Sequence, residues 1–255
     1  MTASGKLSRR GEIDEARAIA KTLGVRFVPY RRGVSVAALL EDAEAVLSLH
    51  GDALVLVDAA GEIRWSTGMA EVRIRRLEDG IEQDDHVLKT GALEPGDQVL
   101  DCTLGLAQDA LVMAHAVGAR GRVVGLERSR VLHAFAAMGL GRQRGTRPGA
   151  DIECIHTDAA EFLARQARGS FDCVYFDPMF SKPTKSQPGF AFLRRHADLR
   201  PLTRELLGLA QRVARRWVVV KAAAQGGDLH RLGLRAEPFK RSADLRFARL
   251  PGGQD

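Results

Sequence analysis

The sequence is poor in the residues that build disulfide frameworks and metal sites. Its 255 residues include three cysteines, Cys102, Cys154 and Cys173. Their odd number and wide spacing argue against a disulfide framework and a Cys-x-x-Cys metal site, and each lies in or beside a predicted strand. The seven histidines show no pairing at the spacing of metal ligands. We therefore expect buried, reduced thiols and no bound metal.

Long hydrophobic runs are also missing. No window approaches the roughly 20 apolar residues that a membrane-spanning helix needs. The first residues, MTASGKLSRRGEIDEARAI, lack the apolar centre of a secretory signal. The chain contains no internal repeat and no low-complexity tract. These absences predict a cytoplasmic protein without membrane contact.

Positive charge is unevenly distributed along the chain. Residues 1–90 carry 13 Lys+Arg against 15 Asp+Glu, so the net charge of +6 leaves +8 for residues 91–255. The basic residues concentrate in 139–149 and 181–200, which Gly and Pro mark as loops. Such a basic surface favours a polyanionic partner such as RNA, with ribosomal RNA or the small ribosomal subunit as the expected partner. The alternative is an ordinary solvated surface in an Arg-rich protein.

The first part of the chain predicts a small α+β domain over residues 1–90. Apolar residues at helical spacing indicate helices over 13–24 and 34–51. Alternating residues then predict strands over 53–65 and 69–76, with Gly61 in a turn of the first.

From residue 91 onward, strands alternate with helices. This alternation predicts an α/β domain over 91–255 with a mostly parallel sheet, helices on both faces and an antiparallel edge. The predicted strands are 98–101, 122–127, 152–158, 171–177, 217–221 and 244–250, and the predicted helices are 107–118, 130–141, 159–169 and 201–216.

The motif VYFDPMFSKP follows the buried strand that ends at Phe176. Asp177 is therefore placed where the sheet opens into a crevice. The carboxylate of Asp177 and the carbonyl of Pro178 can both accept hydrogen bonds from one amino group. Phe180 can stack on a planar ring. We predict that Asp177, Pro178 and Phe180 form the catalytic site for a base or amide nitrogen.

Acidic residues also end the preceding strands of this sheet. Asp101 ends the first strand, Glu127 the second and Asp158 the third. The turn TLGL, with Thr103 and Gly105, lets a ligand approach the backbone closely. Asp109 follows in the first helical turn, where it can cap backbone amides or reach an ammonium group.

This arrangement distinguishes between two cofactors. A nicotinamide dinucleotide normally requires G-x-G-x-x-G after the first strand, whereas TLGLAQ has one glycine in that window. S-adenosylmethionine carries no phosphate, but it has a sulfonium cation and an amino-acid end that carboxylates can bind. We therefore expect S-adenosylmethionine as the cofactor.

Five segments together resemble a known family. They are DCTLGLAQDA (101–110), VVGLER (123–128), IECIHTD (152–158), VYFDPMF (174–180) and VVVK (218–221). In this order and spacing they resemble the bacterial small-subunit ribosomal RNA guanine-N2 methyltransferases, and more closely a related bacterial branch of adenosylmethionine-dependent methyltransferases. The resemblance implies a Rossmann-like class I methyltransferase domain. It also implies cofactor contacts at Gln108, Asp109, Glu127, Arg128, Asp158, Ala159 and Asp177; the full set of predicted contacts adds Asp101, Thr103 and Gly105.

The chain departs from the ribosomal enzymes at three places. Those enzymes carry Arg at the position of Gln108, Ser at that of Asp158 and a basic stretch where this chain has the acidic residues 76–91. The resemblance therefore supports methyl transfer more strongly than a ribosomal RNA substrate.

The function predicted from the sequence is methylation of an exocyclic base amine, guanine N2, in ribosomal or other RNA. One alternative is a protein or small-molecule N-methyltransferase, although its usual signature has Asn first and Pro third. Another is a binding module that has lost activity. Lys221, at the end of the fifth strand, either contacts substrate or caps the sheet.

Overall fold

The computed structural model describes residues 2–3, 10–29, 35–50, 53–80, 85–143, 145, 148–179, 188–238 and 244–253. The strands are β1 (Thr2–Ala3), β2 (Val46–His50), β3 (Ala53–Asp58), β4 (Gly61–Arg64), β5 (Gln98–Asp101), β6 (Arg122–Glu127), β7 (Ile152–His156), β8 (Phe171–Phe176), β9 (Ala214–Ala223) and β10 (Leu245–Pro251). The helices are α1 (Arg10–Thr22), α2 (Val36–Leu40), α3 (Gly68–Glu78), α4 (His86–Gly91), α5 (Gln108–Val117), α6 (Arg130–Gln143), α7 (Ala159–Arg165), α8 (Pro188–His196), α9 (Arg204–Val213) and α10 (Asp228–Leu232). Within these described ranges, no helix combines the length and the apolar character needed to cross a bilayer.

The larger sheet has the strand order β10-β9-β8-β5-β6-β7. All of its strands are parallel except β10, which runs antiparallel to β9. Asp101 pairs with Gly125 on one side and with Tyr175 on the other. The carboxyl ends of β5, β6 and β8 therefore share one edge, at the point where the strand order reverses.

Helices cover both faces of this sheet. Leu100, Val174 and Phe176 lie in a buried cluster with residues of α7 and α9. Val99 and Tyr175, which alternate with them, lie in a second buried cluster with residues of α5. The predicted Rossmann-like α/β fold with an antiparallel edge is thus confirmed. Cys102, Cys154 and Cys173 are free thiols; Cys102 and Cys173 are buried as expected, whereas Cys154 is half-buried.

The smaller sheet, β1-β2-β3-β4, packs on α6. Leucines of β2 and β3 share a buried cluster with Phe135 of α6. Trp65 meets Phe135 edge to face, with ring centroids 5.6 Å apart. A Cβ on Gly139 would lie 2.1 Å from the Trp65 ring, so this close approach requires glycine. Helix α6 therefore lies between the two sheets.

Helix α8 is docked on the smaller sheet through a carboxylate buried in β3. Asp58 of β3 accepts hydrogen bonds from Arg195 Nε (2.9 Å) and Nη2 (3.1 Å). His196 Nε2 lies 2.9 Å from the same carboxylate. Although burial opposes ionisation, these partners hold the pKa of Asp58 at about 2. The carboxyl end of α8 is thereby fixed relative to the smaller sheet.

Several predictions of local structure were wrong. Within the predicted helix 34–51, Val36–Leu40 form α2 and Val46–His50 form β2, because the latter pair with β3. Residues 69–76 lie in α3 rather than in a strand. The predicted loops 139–149 and 181–200 contain the end of α6 and the whole of α8. The domain boundary near residue 90 stays a prediction.

Candidate cofactor and acceptor site

A cavity of about 480 Å³ opens at the carboxyl ends of β5, β6 and β8. Residues 197–203, which follow α8, contribute to its wall. Apolar side chains such as Leu126, Phe176 and Leu202 line it together with carboxylates. The predicted site residues that line this cavity are Thr103, Gly105, Glu127, Arg128, Asp158, Ala159, Asp177 and Pro178.

The glycine turn and the acidic end of β6 are joined by backbone hydrogen bonds. Gly105 has a φ of +53°, a conformation that favours glycine. Its N–H donates to Glu127 Oε2 (3.0 Å), and the N–H of Ser129 donates to Oε1 (2.8 Å). Burial raises the pKa of Glu127. Both Glu127 oxygens are therefore held at fixed places beside the turn.

The ends of β5 and β8 are linked through Thr103. Its N–H donates to Asp101 Oδ1 (2.9 Å), and its Oγ1 accepts from the backbone N–H of Asp177 (2.6 Å). Asp101 is 2% exposed, and burial, reinforced by the charges of Asp109 and Asp177, raises its pKa to about 8. The side chain of Asp101 lies behind the cavity wall, where it supports the turn.

Asp109 is enclosed by donors rather than capping its own helix. Its Oδ1 pairs with Arg73 Nη1 (2.5 Å), and its Oδ2 accepts from Lys221 Nζ (2.9 Å) and Tyr175 Oη (2.7 Å). Burial opposes ionisation, but the charges of Lys221 and Arg73 hold the pKa of Asp109 well below its usual range. Asp109 thus contacts the ammonium group of Lys221, and its predicted role towards a ligand stays a prediction.

Lys221 continues this chain of charges to the predicted acceptor residue. Its Nζ lies 2.7 Å from Asp177 Oδ2. At the other end, Arg73 also pairs with Asp85, the N-cap of α4, at 2.7 Å and 2.9 Å. We call this connected set the inner network: Asp85, Arg73, Asp109, Lys221 and Asp177.

A second set of charges also lines the cavity. Asp158 caps α7 by accepting from the N–H of Ala160 (2.8 Å). Its Oδ2 lies 2.5 Å from Arg200 Nη2 and 3.3 Å from Arg128 Nε. Against the effect of burial, the hydrogen bond from Arg200 holds the pKa of Asp158 below its usual value. We call this set the outer cluster: Arg128, Asp158, Asp198 and Arg200.

Gln108 serves the packing of α3 on α5. Its Nε2 donates to the carbonyl of Ser66 (2.8 Å), and its Oε1 accepts from the N–H of Ala70 (3.1 Å). Gln108, Asp101 and Asp109 are outside the set of described residues that line the cavity. Their direct contact with a cofactor stays a prediction. Phe180 lies outside the described residues.

Arg73 and Arg200 are parts of the site that the sequence interpretation missed. Arg73 lies 36 positions from Asp109, and Arg200 lies 42 positions from Asp158. No local pattern marks either arginine as a partner of these carboxylates. Lys221 did carry a signal, because it follows the run of valines in β9 at the carboxyl edge of the sheet.

The cavity fits S-adenosylmethionine in size and in chemistry. Its volume is within the range of small-molecule sites, roughly 300–1,000 Å³. Its acidic side chains suit a cation, and its apolar wall suits the adenosyl rings. Glu127 and Asp158 could hold the adenosyl part, and Asp177 lines the same cavity.

Comparisons with known proteins agree with this chemistry. A family model described as "Putative SAM-dependent methyltransferase" matches residues 47–237. The uncharacterized protein YpiP of Bacillus subtilis is 33% identical over 218 residues, which cover 82% of this chain and 83% of that protein. Ribosomal RNA small subunit methyltransferase J of Pseudomonas syringae is 30% identical over 197 residues, covering 71% of this chain and 70% of that protein.

The fold is shared with a solved structure. The crystal structure of an S-adenosylmethionine-dependent methyltransferase from Neisseria gonorrhoeae superposes with a TM-score of 0.61. The match covers 100% of this chain and 97% of that one, at 21% sequence identity. Both the smaller sheet and the larger sheet therefore lie within the matched region.

Proposed function

The chain belongs to this family of S-adenosylmethionine-dependent methyltransferases, and we propose that it methylates an exocyclic amine of a base in RNA, with guanine N2 as the acceptor. The observation that carries the proposal is Asp177, at the cavity edge with its backbone fixed by Thr103 and one carboxylate oxygen fixed by Lys221. The name of the Pseudomonas relative supports an RNA substrate.

Methyl transfer requires alignment of the acceptor amine with the methyl group more than it requires activation of either group. S-adenosylmethionine supplies a methyl group on a sulfonium sulfur, so that formation of the N–C bond breaks the C–S bond to a neutral thioether while the amine gives up one proton. Asp177 and the carbonyl of Pro178 accept hydrogen bonds from the acceptor amine and orient its lone pair. Such alignment replaces a bimolecular encounter by a fixed geometry. The carboxylate of Asp177 is placed to take the released proton.

The substrate must reach this site as an accessible base. A base paired in a helix has to be turned out of the stack, at a cost of a few kcal/mol. The net charge of +8 over residues 91–255 favours binding of the phosphate backbone during that step. Phe180, by its position in the motif, would stack on the base.

The test is methyl transfer from labelled S-adenosylmethionine to unmodified small-subunit ribosomal RNA made by transcription. We expect label in the RNA fraction, and mass spectrometry should locate it on guanine N2. Asp177→Asn should lower the rate by about 10²–10⁴-fold, because the variant loses the proton acceptor. Its unfolding curve should stay close to that of the wild type.

Asp14→Asn, on an exposed position of α1, is the matched control and should keep the wild-type rate. Label confined to the protein fraction would overturn the RNA substrate in favour of a protein acceptor. A wild-type rate in Asp177→Asn would overturn the assignment of the acceptor residue.

A further inference from the structure

We propose that Lys221 is a positioning residue for the acceptor site: it keeps the Asp177 carboxylate ionised by binding Oδ2 and leaves Oδ1 to receive the acceptor amine. The inference rests on the proposed function of Asp177. It replaces the two roles that the sequence left open for Lys221, contact with substrate or capping of the sheet.

The strand register places Lys221 beside Asp177. Phe176, the last residue of β8, pairs with Val220 of β9. Asp177, which follows β8, therefore lies beside Lys221, which follows Val220. On the other side of β9, Lys221 pairs with Phe247 of β10, and this pairing fixes the position of the Lys221 backbone. The short distance between Lys221 Nζ and Asp177 Oδ2, 2.7 Å, thus follows from the pairing of the sheet.

Lys221 lies behind Asp177 as seen from the cofactor cavity. Asp177 lines the large cavity, whereas Lys221 lines a separate small one of about 60 Å³. Pro178 and Met179 line both. The side chain of Lys221 is 15% exposed and that of Asp177 is 28% exposed. Lys221 is therefore placed to act through Asp177 rather than on a ligand in the large cavity.

Other titratable groups surround Asp177 and Lys221 and affect the protonation equilibrium of Asp177. Asp109 of α5 shares the ammonium group of Lys221, and Tyr175 of β8 and Arg73 of α3 bind Asp109 in turn. Asp101 of β5 is joined to Asp177 through Thr103, and Asp85 of α4 is paired with Arg73. Asp228 and Arg231 of α10 line the small cavity with Lys221.

These groups act on Asp177 in opposite directions. Burial raises the pKa of Asp177 and the charge of Asp109 raises it further, whereas the charge of Lys221 lowers it. The ammonium group itself is stabilised by both carboxylates, which raise the pKa of Lys221 despite its burial. Lys221 thus stays charged over the whole working range and opposes the protonation of Asp177.

The ionisation state decides what Asp177 can do. An ionised carboxylate accepts hydrogen bonds at both oxygens, whereas a protonated one becomes a donor and cannot take the proton of the amine. With Oδ2 occupied by Lys221, Oδ1 is the oxygen left to face the cavity. Lys221 would therefore select both the charge and the orientation of the acceptor residue.

The experiment follows the side-chain carboxyl of Asp177 by ¹³C NMR in the full chain, with its resonance assigned by its loss in Asp177→Asn. In Lys221→Met the titration midpoint should move to higher pH, by about one to three units, because an opposite charge at this distance is removed. Lys221→Arg should return it towards the wild-type value. In Asp109→Asn the midpoint should move to lower pH, because a like charge is removed.

Arg165→Met is the matched control, since it removes one positive charge from an exposed position on α7 and should leave the midpoint unchanged. An unchanged midpoint in Lys221→Met would overturn the proposal, as would a shift of the same sign in Asp109→Asn. These titrations need no substrate, so they test Lys221 whether or not RNA is the methyl acceptor.

The catalytic arm uses the unmodified ribosomal RNA as the probe. The acid limb of the pH–rate profile should move to higher pH in Lys221→Met by as much as the NMR midpoint, and Lys221→Arg should move it back. If Asp177→Asn is inactive while the acid limb of Lys221→Met stays at the wild-type pH, the positioning role is overturned and the proposed function stands.

Discussion

The inner network and the outer cluster both place carboxylates beside the same cavity, yet they neutralise these carboxylates differently. In the inner network the cations are largely enclosed: Arg73 is 21% exposed and Lys221 is 15% exposed. In the outer cluster the cations are Arg128 and Arg200, which are 51% and 56% exposed. The cations of the inner network are thus internal, whereas those of the outer cluster form an exposed set, which we call the rim.

This difference separates two tasks of the site. The enclosed pairs have few alternative partners, so they fix Asp177 before any substrate arrives, which is what rate enhancement by preorganisation requires. Exposed arginines exchange readily with water, so a ligand can displace Arg200 from Asp158 at small cost. On the proposed function, the inner network thus gives Asp177 a rigid geometry, and the rim allows exchange.

The largest effect is expected from breaking the inner network at Arg73. Arg73→Met leaves Asp85 without the cation that it pairs with and Asp109 with Lys221 as its remaining cation. The loss in free energy of unfolding should be about 3–5 kcal/mol. Arg75→Met, at an exposed position of the same helix, is the control and should change it little. Urea unfolding measures both. Equal losses of stability in the two variants would show that the enclosed arginine of the inner network contributes no more than an exposed arginine.

A second effect concerns Asp101, which is buried next to the inner network. Its pKa is raised to about 8 in the folded protein, so the folded state binds the proton more tightly than the unfolded state. Its contribution to stability is full below the unfolded value, about pH 4, and is lost as the pH rises through about 8. Asp101→Asn cannot titrate.

The free energy of unfolding of the wild type relative to Asp101→Asn should therefore fall as the pH rises from about 4 to 8. The slope should not exceed about 1.4 kcal/mol per pH unit. Asp158 should behave oppositely, because its pKa is lowered and its contribution is lost as the pH falls. Parallel pH curves for the wild type and Asp101→Asn would contradict the buried, proton-binding state of Asp101.

The larger sheet could be predicted from the sequence because its strands are short apolar runs separated by amphipathic helices. The secondary structure of the first 90 residues was harder to predict. In residues 69–76 the buried side chains are Ala70 and Ile74, four positions apart. Residues four apart share a face in a helix and also in a strand, so the spacing fits both. Contact of Ile74 with Val112 of α5 decides for the helix.

The candidate site shows the same limit at the level of single residues. Carboxylates at strand ends could be located from the sequence, because the carboxyl ends of parallel strands meet at one edge. Their partners could not, since Arg73 and Arg200 reach them only through the packing of α3 and of the segment after α8. The roles of Glu127, Asp158 and Asp177 towards cofactor and substrate stay predictions.

The smallest effect is expected at the rim. Arg200→Met should lower the free energy of unfolding by about 0–1 kcal/mol, because both partners of this exposed guanidinium are reached by solvent. In about 1 M salt, where the Debye length is about 3 Å, the difference from the wild type should disappear. The loss in Arg73→Met should persist there. A salt-resistant loss at Arg200 as large as that at Arg73 would mean that the rim is as rigid as the inner network, and that Asp158 cannot release its arginine to a ligand.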